Sequence, residues 1–307
     1  MQPPKRDSTP RSITPFSVPA VHGGEALRFP LGPEALDALV RAALDEDHAF
    51  NDVTTAATVL SDRHARGYLV ARQPGVLAGG PIAVAVFRML DPKVTIRVDV
   101  EDGTRVAAGD RILYLSGHAR PMLSAERTAL NFVQRLSGIA TLTARYVDAV
   151  QGTKAHVLDT RKTTPGWRLL EKYAVRAGGG MNHRADLASA VLIKDNHLAA
   201  VDGDIALAVR RSRDLALPGT RVEVECESRA QVQAALAAGA DIVMLDNMSL
   251  DDMRACVQLV AGRAILEASG GVNLSTVRAI AETGVDWISV GALTHSAPAL
   301  DLALDFD

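Results

Sequence analysis

Hydrophobic residues in the first part of the chain follow two different spacings. Residues 30–48 carry apolar side chains at helical spacing, which predicts one amphipathic helix. These side chains are Leu36, Leu39, Val40 and Leu44. From Arg66 to Leu115, short apolar runs are separated by turn signals such as Glu101-Asp102-Gly103, which predicts a series of strands. The helix and the strands together predict a small α+β domain.

A long helix is predicted to lead from this domain into the rest of the chain. Ser124 is its expected N-cap, because Arg127 follows three residues later within a helical pattern. At the other end, residues 1–27 are rich in Pro, Ser and Thr and contain no apolar core. We therefore expect a disordered tail there and no targeting peptide.

From about residue 153 the pattern changes, and apolar runs alternate with helical stretches. Strand–helix alternation is typical of a parallel sheet with helical crossovers. Six units, with one more that the pattern does not reveal, favour a (β/α) barrel. The alternative is a doubly wound sheet, whose glycine-rich first turn is missing. The six apolar runs are 155–160, 190–195, 221–227, 241–246, 264–269 and 287–292.

Most of these runs end in polar residues or glycine. In a parallel barrel the carboxyl ends of the strands share one face, and active sites lie on that face. Residues far apart in the sequence are therefore expected to meet in one cavity. They include Asp159–Lys162, Lys194–Asn196, Glu225, Asp246–Asn247, Ser269–Gly271 and Gly291.

Basic residues are concentrated near the first two strand ends. Between residues 156 and 197, Lys and Arg exceed Asp and Glu by three, although the whole chain has a net charge of −3. A cationic cavity in such a protein predicts a small polyanionic substrate, and arginine matches carboxylate or phosphate with two parallel hydrogen bonds. A solvated basic face is the alternative interpretation. The residues concerned are Arg161, Lys162, His183, Arg184 and Lys194.

Acidic residues and glycines mark the later strands. Glu225 and Asp246 end adjacent strands, where two carboxylates can hold Mg²⁺ through water or accept hydrogen bonds from ribose hydroxyls. The alternative is a structural ion-pair network. Ser269-Gly270-Gly271 and Ser289-Val290-Gly291 bring backbone N–H groups close enough for phosphate binding, unless they are simply tight turns.

Composition excludes several classes of protein. The chain has 307 residues and no basic excess, so nucleic acid is not an expected partner. It contains no apolar run of about 18 residues, so no membrane span is expected. Two cysteines are too few for a disulfide framework or a zinc site, which favours a reducing cytoplasm.

Beyond these patterns, one long motif identifies a family. The stretch DTRKTTPGWRLLEKYAVRAGGGMNHRADLASAVLIKDNHL (159–198) closely resembles the signature of quinolinate phosphoribosyltransferases. Shorter motifs follow the order of that family, and the likeness extends from about residue 30 to the C-terminus. They are SAERTALNFVQRLSGIAT (124–141), VEVE (222–225), LDN (245–247), ASGG (268–271) and SVGALTHSAPALD (289–301).

The resemblance implies a two-domain subunit. An α/β sandwich would occupy residues 28–134, with the C-terminal helix packed on it, and an incomplete α/β barrel would occupy residues 135–307. It implies a decarboxylating pentosyltransferase that makes nicotinate mononucleotide, carbon dioxide and pyrophosphate from quinolinate and phosphoribosyl pyrophosphate. It also implies a homodimer with shared active sites, or a hexamer built from such dimers.

The resemblance also implies the roles of individual residues. The carboxylates of quinolinate would contact a set from one subunit and Arg127 from its neighbour; the set is Thr160, Arg161, His183, Arg184 and Lys194. Phosphoribosyl pyrophosphate would be bound by Lys162, Glu225, Asp246, Ser269, Gly270, Gly271, Ser289 and Gly291. Lys162, Glu225 and Asp246 would be catalytic, and the two acids would hold Mg²⁺, directly or through water.

Three other functions are the alternatives to this one. A paralogous phosphoribosyltransferase-like protein of another pathway, such as molybdenum transport, would share the phosphate site but alter the dicarboxylate pocket. A Schiff-base aldolase would use Lys194, but the neighbouring cations favour anion binding there instead. A non-catalytic protein that binds a phosphorylated metabolite would release no pyrophosphate.

Overall fold

The computed structural model describes residues 27–307 of the chain. The tail predicted for residues 1–27 therefore lies outside the described residues, apart from Leu27. Within residues 27–307, none of the helices combines the length and the apolar character that crossing a bilayer requires. Cys226 and Cys256 are buried free thiols.

The first part of the chain begins with the predicted amphipathic helix, which is confirmed, and Val40 and Leu44 on its inner face are buried. A short 3-10 turn at Ala49–Asn51 leads to a second helix, whose first turn is capped by Asp52. The elements of this part are α1 (Pro33–Glu46), α2 (Val53–Thr58), β1 (His64–Ala71), β2 (Gly75–Val76), α3 (Gly80–Leu90), β3 (Thr95–Val98), β4 (Arg105–Val106), β5 (Arg111–His118) and α4 (Ala119–Ala149).

The helix α3 interrupts the series of strands predicted between Arg66 and Leu115. Its N-terminus is capped from a distance, because the carboxylate of Asp102 accepts the N–H groups of Gly79 at 2.7 Å and Gly80 at 3.0 Å. A cap that lies 22 residues downstream of Gly80 leaves no local signal, so the short apolar runs around this helix suggested strands only.

The long helix α4 forms as predicted, but the expected N-cap is wrong. The helix begins at Ala119, and Ser124 lies inside it. Pro121 stands in the first turn, where the missing N–H costs little because no helical carbonyl would accept it. The Ser124 hydroxyl instead lies 2.9 Å from Asp52 Oδ2, and so ties α4 to the cap of α2.

All six strands predicted in the second part of the chain are confirmed. They form one parallel sheet in the order β6-β11-β10-β9-β8-β7. The elements are β6 (His156–Leu158), α5 (Arg168–Ala177), β7 (Val191–Ile193), α6 (Asp195–Ala199), α7 (Ile205–Leu215), β8 (Val222–Cys226), α8 (Arg229–Ala238), β9 (Ile242–Asp246), α9 (Leu250–Val260), β10 (Ile265–Ser269), α10 (Val277–Ala281), β11 (Trp287–Ser289), α11 (Ala292–His295) and β12 (Leu302–Phe306).

The order of the strands distinguishes between the two architectures considered. Strands β7 to β11 follow one another around the sheet, and β6 joins on beyond β11. A doubly wound sheet reverses direction at its centre, so that alternative is wrong. Strands β6 and β7 are the two edges, and the barrel is therefore incomplete between them.

A short segment extends the sheet on the open side. Met181 forms an isolated parallel bridge with Leu158, and its N–H donates to Val157 O at 2.9 Å. This segment continues directly into His183 and Arg184, and both line the cavity described below. It corresponds to the further unit that the sequence pattern did not reveal.

The end of the chain returns to the first part. Where a C-terminal helix was expected, strand β12 pairs antiparallel with β1, giving a four-stranded sheet in the order β12-β1-β5-β3. The preceding loop crosses α4 closely, since a Cβ on Gly138 would lie 2.0 Å from the carbonyl oxygen of Pro298. The domain boundary expected at residue 134 would fall within α4, and it stays a prediction.

Candidate active site

A cavity of about 690 Å³ opens at the carboxyl ends of the barrel strands. Its walls come from all six parallel strands and from the segment that follows Met181. With two exceptions, the residues to which the family resemblance assigns a role line this one cavity. Three other strand-end residues that the sequence placed here do not line it, namely Asp159, Asp195 and Asn196. The lining residues are Thr160, Arg161, Lys162, His183, Arg184, Leu192, Lys194, Glu225, Met244, Asp246, Asn247, Glu267, Ser269, Gly270, Gly271 and Ser289.

The period of two along each strand explains why these side chains meet. Alternate residues of a strand point to the same face, so in a barrel every second side chain points inward. Lys194, Asp246 and Ser269 lie in the layer at the mouth, each two residues beyond an inward side chain of the layer below. Glu225 belongs to the mouth layer too, and Glu223 to the layer below it.

The cations are crowded on one side of the cavity. Arg161 Nε is buried and has no hydrogen-bond partner among residues 27–307. Arg184 donates to Ala190 O at 2.9 Å, and burial together with the charge of Arg161 lowers the pKa of Arg184. Two guanidinium groups that repel each other in a partly dry cavity favour an anionic ligand between them.

Lys194 does not have the surroundings of a Schiff-base lysine. Its ammonium contacts the carboxylate of Glu225 directly, at the end of the neighbouring strand. Schiff-base formation requires a free amine that is little solvated and not held in an ion pair. The contact therefore disfavours the aldolase alternative and leaves Lys194 between the cationic and the acidic sides of the cavity.

Lys162 and Gly291 are close neighbours, although Gly291 is outside the lining set. Thr294 Oγ1 donates to the carbonyl of Lys162 at 2.7 Å, which fixes the loop after β6 against α11. A Cβ on Gly291 would lie 3.1 Å from Lys162 Cδ and 3.2 Å from His295 Nε2. His295 is thus a further polar group at the mouth, and sequence reasoning missed it.

The acidic side is organised around Asn247. Its side-chain amide donates to Asp246 Oδ2 at 2.7 Å, and its own backbone lies in the left-handed region with φ of 52°. Gly270 passes directly over this amide, since a Cβ there would lie 2.2 Å from Asn247 Oδ1. Asn247 therefore links the carboxylate of Asp246 to the glycine loop after β10.

Arg127 is the second exception, because it does not line the cavity of its own chain. It lies on the exposed side of α4. The structure of one subunit therefore brings together the predicted cations of the barrel and leaves Arg127 outside.

Below the mouth lies a buried cluster that the sequence analysis did not predict. His183 Nε2 lies 3.2 Å from Glu223 and 3.4 Å from Glu267, and the hydroxyl of Ser289 contacts the other oxygen of Glu267. Burial and the charge of Glu267 raise the pKa of Glu223 to about 7. Burial lowers the pKa of His183, but the contacts with the two carboxyl groups prevail and raise it to about 10.

The backbone of His183 is held by a buried ion pair. Lys172 Nζ lies 2.5 Å from Asp159 Oδ1 and donates to the carbonyl of His183 at 3.0 Å. The same carboxylate oxygen of Asp159 accepts the N–H of His183 at 2.8 Å. Period two along β8 predicts that Glu223 shares a face with Glu225, although it assigns Glu223 no role. No local pattern relates Lys172 on α5 to Asp159.

Comparison with known proteins gives a consistent result. Two family models match, "Quinolinate phosphoribosyl transferase, N-terminal domain" over residues 52–137 and "Quinolinate phosphoribosyl transferase, C-terminal domain" over residues 139–305. A "Nicotinate-nucleotide pyrophosphorylase (carboxylating)" of Mycobacterium leprae (strain TN) is 46% identical over 274 residues, which cover 87% of this chain and 95% of the relative.

Solved structures agree with these sequence relatives. The "nicotinate-nucleotide pyrophosphorylase from Francisella tularensis" has a TM-score of 0.85 and 42% identity, covering 91% of this chain and 99% of that one. "NadC from Streptococcus pyogenes" has a TM-score of 0.86 and 44% identity, covering 90% and 99% of the two chains.

Proposed function

Because the chain belongs to the quinolinate phosphoribosyltransferase family, we infer that the cavity at the strand ends is the active site for that reaction. The chain is a decarboxylating pentosyltransferase of NAD biosynthesis. It converts quinolinate and phosphoribosyl pyrophosphate into nicotinate mononucleotide, carbon dioxide and pyrophosphate. One observation carries the assignment of the site, namely that a crowded cationic side faces an acidic, glycine-lined side within a single cavity.

The cationic side suits the two carboxylates of quinolinate. A dianion between Arg161 and Arg184 offsets the repulsion between the guanidinium groups and gives the free Arg161 Nε an acceptor. Lys194 and Thr160 complete this side within the subunit, and the ring of His183 lies beneath it. Nicotinate has only one carboxylate, so it is expected to bind poorly to the same cations.

The opposite side suits phosphoribosyl pyrophosphate. Ser269–Gly271 and Ser289–Gly291 end the last two strands, where backbone N–H groups can approach the 5′-phosphate. Lys162 stands beside Gly291 and offers its ammonium to the leaving pyrophosphate. Glu225 and Asp246 belong to this side and can accept hydrogen bonds from the ribose hydroxyls.

The residues at the mouth also fit Mg²⁺. Carboxylate oxygens are the ligands that Mg²⁺ prefers, and it usually keeps several waters while bridging protein carboxylates and substrate phosphates. Glu225 and Asp246 provide two such groups at the ends of adjacent strands. When bound there with pyrophosphate, Mg²⁺ would neutralise charge on the leaving group.

The side chains of the cavity then direct two bond-breaking steps. The C1–O bond of ribose breaks and its electron pair leaves with pyrophosphate, where Lys162 offsets the negative charge. The carboxylates of Glu225 and Asp246 stabilise the positive charge that develops on the sugar. The lone pair of the quinolinate nitrogen forms the new bond to C1, so the ring becomes a pyridinium.

The second step follows from the charge of that ring. The bond from C2 to its carboxylate breaks, carbon dioxide leaves, and the electron pair stays on C2 until a proton from solvent replaces it. Arg161, Arg184 and Lys194 hold the dicarboxylate in place through both steps. The protein therefore contributes mainly positioning and electrostatic stabilisation.

The exposed position of Arg127 supports a homodimer with shared active sites, either alone or within a hexamer. Arg127 would enter the quinolinate site of the neighbouring subunit. Co-expression of Arg127→Ala with Lys194→Ala subunits tests this, because mixed dimers contain one intact site. About a quarter of wild-type activity is expected from a random mixture if the sites are shared. If each subunit works alone, the Arg127→Ala subunits keep their own sites, and about half of the activity is expected instead.

The free, buried thiols of Cys226 and Cys256 fit a reducing compartment, so we expect the enzyme to work in the cytoplasm. The central experiment follows formation of nicotinate mononucleotide from phosphoribosyl pyrophosphate and quinolinate, with nicotinate as the control substrate. Turnover is expected with quinolinate only, and activity should be lost when EDTA removes Mg²⁺. Equal turnover of both substrates would contradict the dicarboxylate site.

A further inference from the structure

Two carboxyl groups occupy the interior of the barrel, one layer below the mouth. Glu223 is 2% exposed and Glu267 is 0% exposed. Branched apolar residues usually fill this layer of a barrel, and burying an acid is costly unless it is paired. The only basic group that contacts both acids among residues 27–307 is His183.

The ring of His183 is oriented by the backbone of the next residue. The N–H of Arg184 donates to His183 Nδ1 at 2.7 Å. A ring nitrogen that accepts a hydrogen bond carries no proton, so the ring proton is on Nε2, which lies between the two carboxyl groups.

This arrangement argues against a metal ion at the cluster. His183, Glu223 and Glu267 are the one group of three potential ligands found close together within residues 27–307, all within 4.8 Å. An imidazole that accepts at Nδ1 and carries its proton on Nε2 has no lone pair left for a metal. The cluster therefore acts through charge and close polar contacts.

On the premise that Arg184 binds quinolinate, we propose that Glu223 and Glu267 are positioning residues for that substrate. They hold the imidazole of His183, the imidazole holds the N–H of Arg184, and the guanidinium of Arg184 is thereby presented to the dicarboxylate. The ion pair of Asp159 and Lys172 fixes the backbone of the same segment from the other side.

The position of the segment makes this support necessary. His183 and Arg184 follow a single β-bridge at the open edge of the barrel and belong to no regular strand. A strand would be held by a ladder of backbone hydrogen bonds along its length. Here the acids and the buried ion pair replace that ladder.

The test replaces each acid separately by methionine, which removes the oxygens but keeps most of the length, and by glutamine, which keeps one acceptor for the ring proton. Glu223→Met and Glu267→Met are expected to raise the KM for quinolinate about tenfold, while the KM for phosphoribosyl pyrophosphate changes less than about twofold. The glutamine variants are expected to stay within about threefold of wild type for both substrates.

A double-mutant cycle with His183→Ala adds a measurement that a purely structural role would not explain. If the acids act through His183, Glu267→Met in the His183→Ala background should cause no further rise in KM for quinolinate. The control is Thr283→Val, which removes a buried hydroxyl whose one partner within residues 27–307 is the carbonyl of Ile280. It should leave both KM values unchanged.

The proposal is overturned if the methionine variants that fold leave the KM for quinolinate unchanged, raise both KM values equally, or match their glutamine counterparts. Both acids are replaced separately, so if one variant fails to fold, the variant at the other position still tests the proposal. Wild-type turnover of quinolinate separates the two levels of inference. Its absence contradicts the proposed function, whereas normal turnover with unselective variants contradicts only the role of the acids.

Discussion

Replacing Gly270 by alanine is expected to disrupt the acidic side of the active site much more than the same change at Gly271. Both glycines have positive φ, 87° and 60°. A Cβ at residue 270 would lie 2.2 Å from Asn247 Oδ1 and 2.5 Å from Asn247 Cγ, both far inside van der Waals contact. A Cβ at residue 271 would meet nothing closer than 3.9 Å.

The two substitutions therefore share one cost and differ in another. Alanine in the left-handed region costs about 1–2 kcal/mol at either position. In Gly270→Ala the side chain of Asn247 must also move, which breaks its hydrogen bond to Asp246 Oδ2 and costs about 1 kcal/mol more. Freed from that bond, the carboxylate of Asp246 loses its fixed orientation toward the proposed ribose site.

The assay combines steady-state kinetics with urea unfolding. Gly270→Ala should lower kcat/KM for phosphoribosyl pyrophosphate about tenfold more than Gly271→Ala, a difference of about 1.4 kcal/mol. Adding Asn247→Gly to Gly270→Ala should recover stability, because glycine tolerates the φ of 52° and removes the clash. Equal losses in the two alanine variants would refute this account of the loop.

Three further outcomes concern the scaffold. Because the pKa of Glu223 is raised to about 7 in the folded protein, folding favours the protonated carboxyl group. The melting temperature of the wild type should therefore fall as pH rises from 5 to 7.5. In Glu223→Gln this fall in melting temperature should be smaller by about 2–4 °C. Lys172→Met leaves Asp159 charged and buried, which should cost about 3–5 kcal/mol in urea unfolding, and adding Asp159→Asn should recover more than 1 kcal/mol of that loss. Asp52→Ala removes the cap of α2 and should lower the free energy of unfolding by about 1 kcal/mol. Hydrogen bonds from Thr55 lower the pKa of Asp52, so the difference in stability between the variant and the wild type should shrink only as pH falls below about 4.

The regular parts of the fold could be predicted because their signals are local. The apolar runs of the barrel strands and the helical spacing in α1 and α4 require no knowledge of distant residues. The errors arose where a distant residue determines the structure. Asp102 caps α3 from 22 residues away, and the last strand is specified by pairing with β1, which lies more than 200 residues earlier.

The candidate active site shows the same division between local signals and distant partners. The cations and acids at the strand ends were predictable, because the carboxyl ends of parallel strands meet on one face and the family motif marks the same residues. The groups that hold them were missed. Asp159 was noted only as a strand-end residue, and its partner Lys172 lies on a helix, where a lysine usually indicates a solvated surface.

The incomplete barrel gives the reaction its orientation. The cations proposed to bind the dicarboxylate follow the two edge strands or lie in the segment between them, so they surround the open side. They are Arg161, Lys194 and Arg184. The acids and glycines come from β8 to β11, which form the closed wall. A closed ring of strands would place backbone where quinolinate is proposed to bind. In the proposed function, the missing strands therefore leave room for quinolinate and for Arg127 of a neighbouring subunit. The continuous wall would hold the sugar in place while the pyridine ring approaches it.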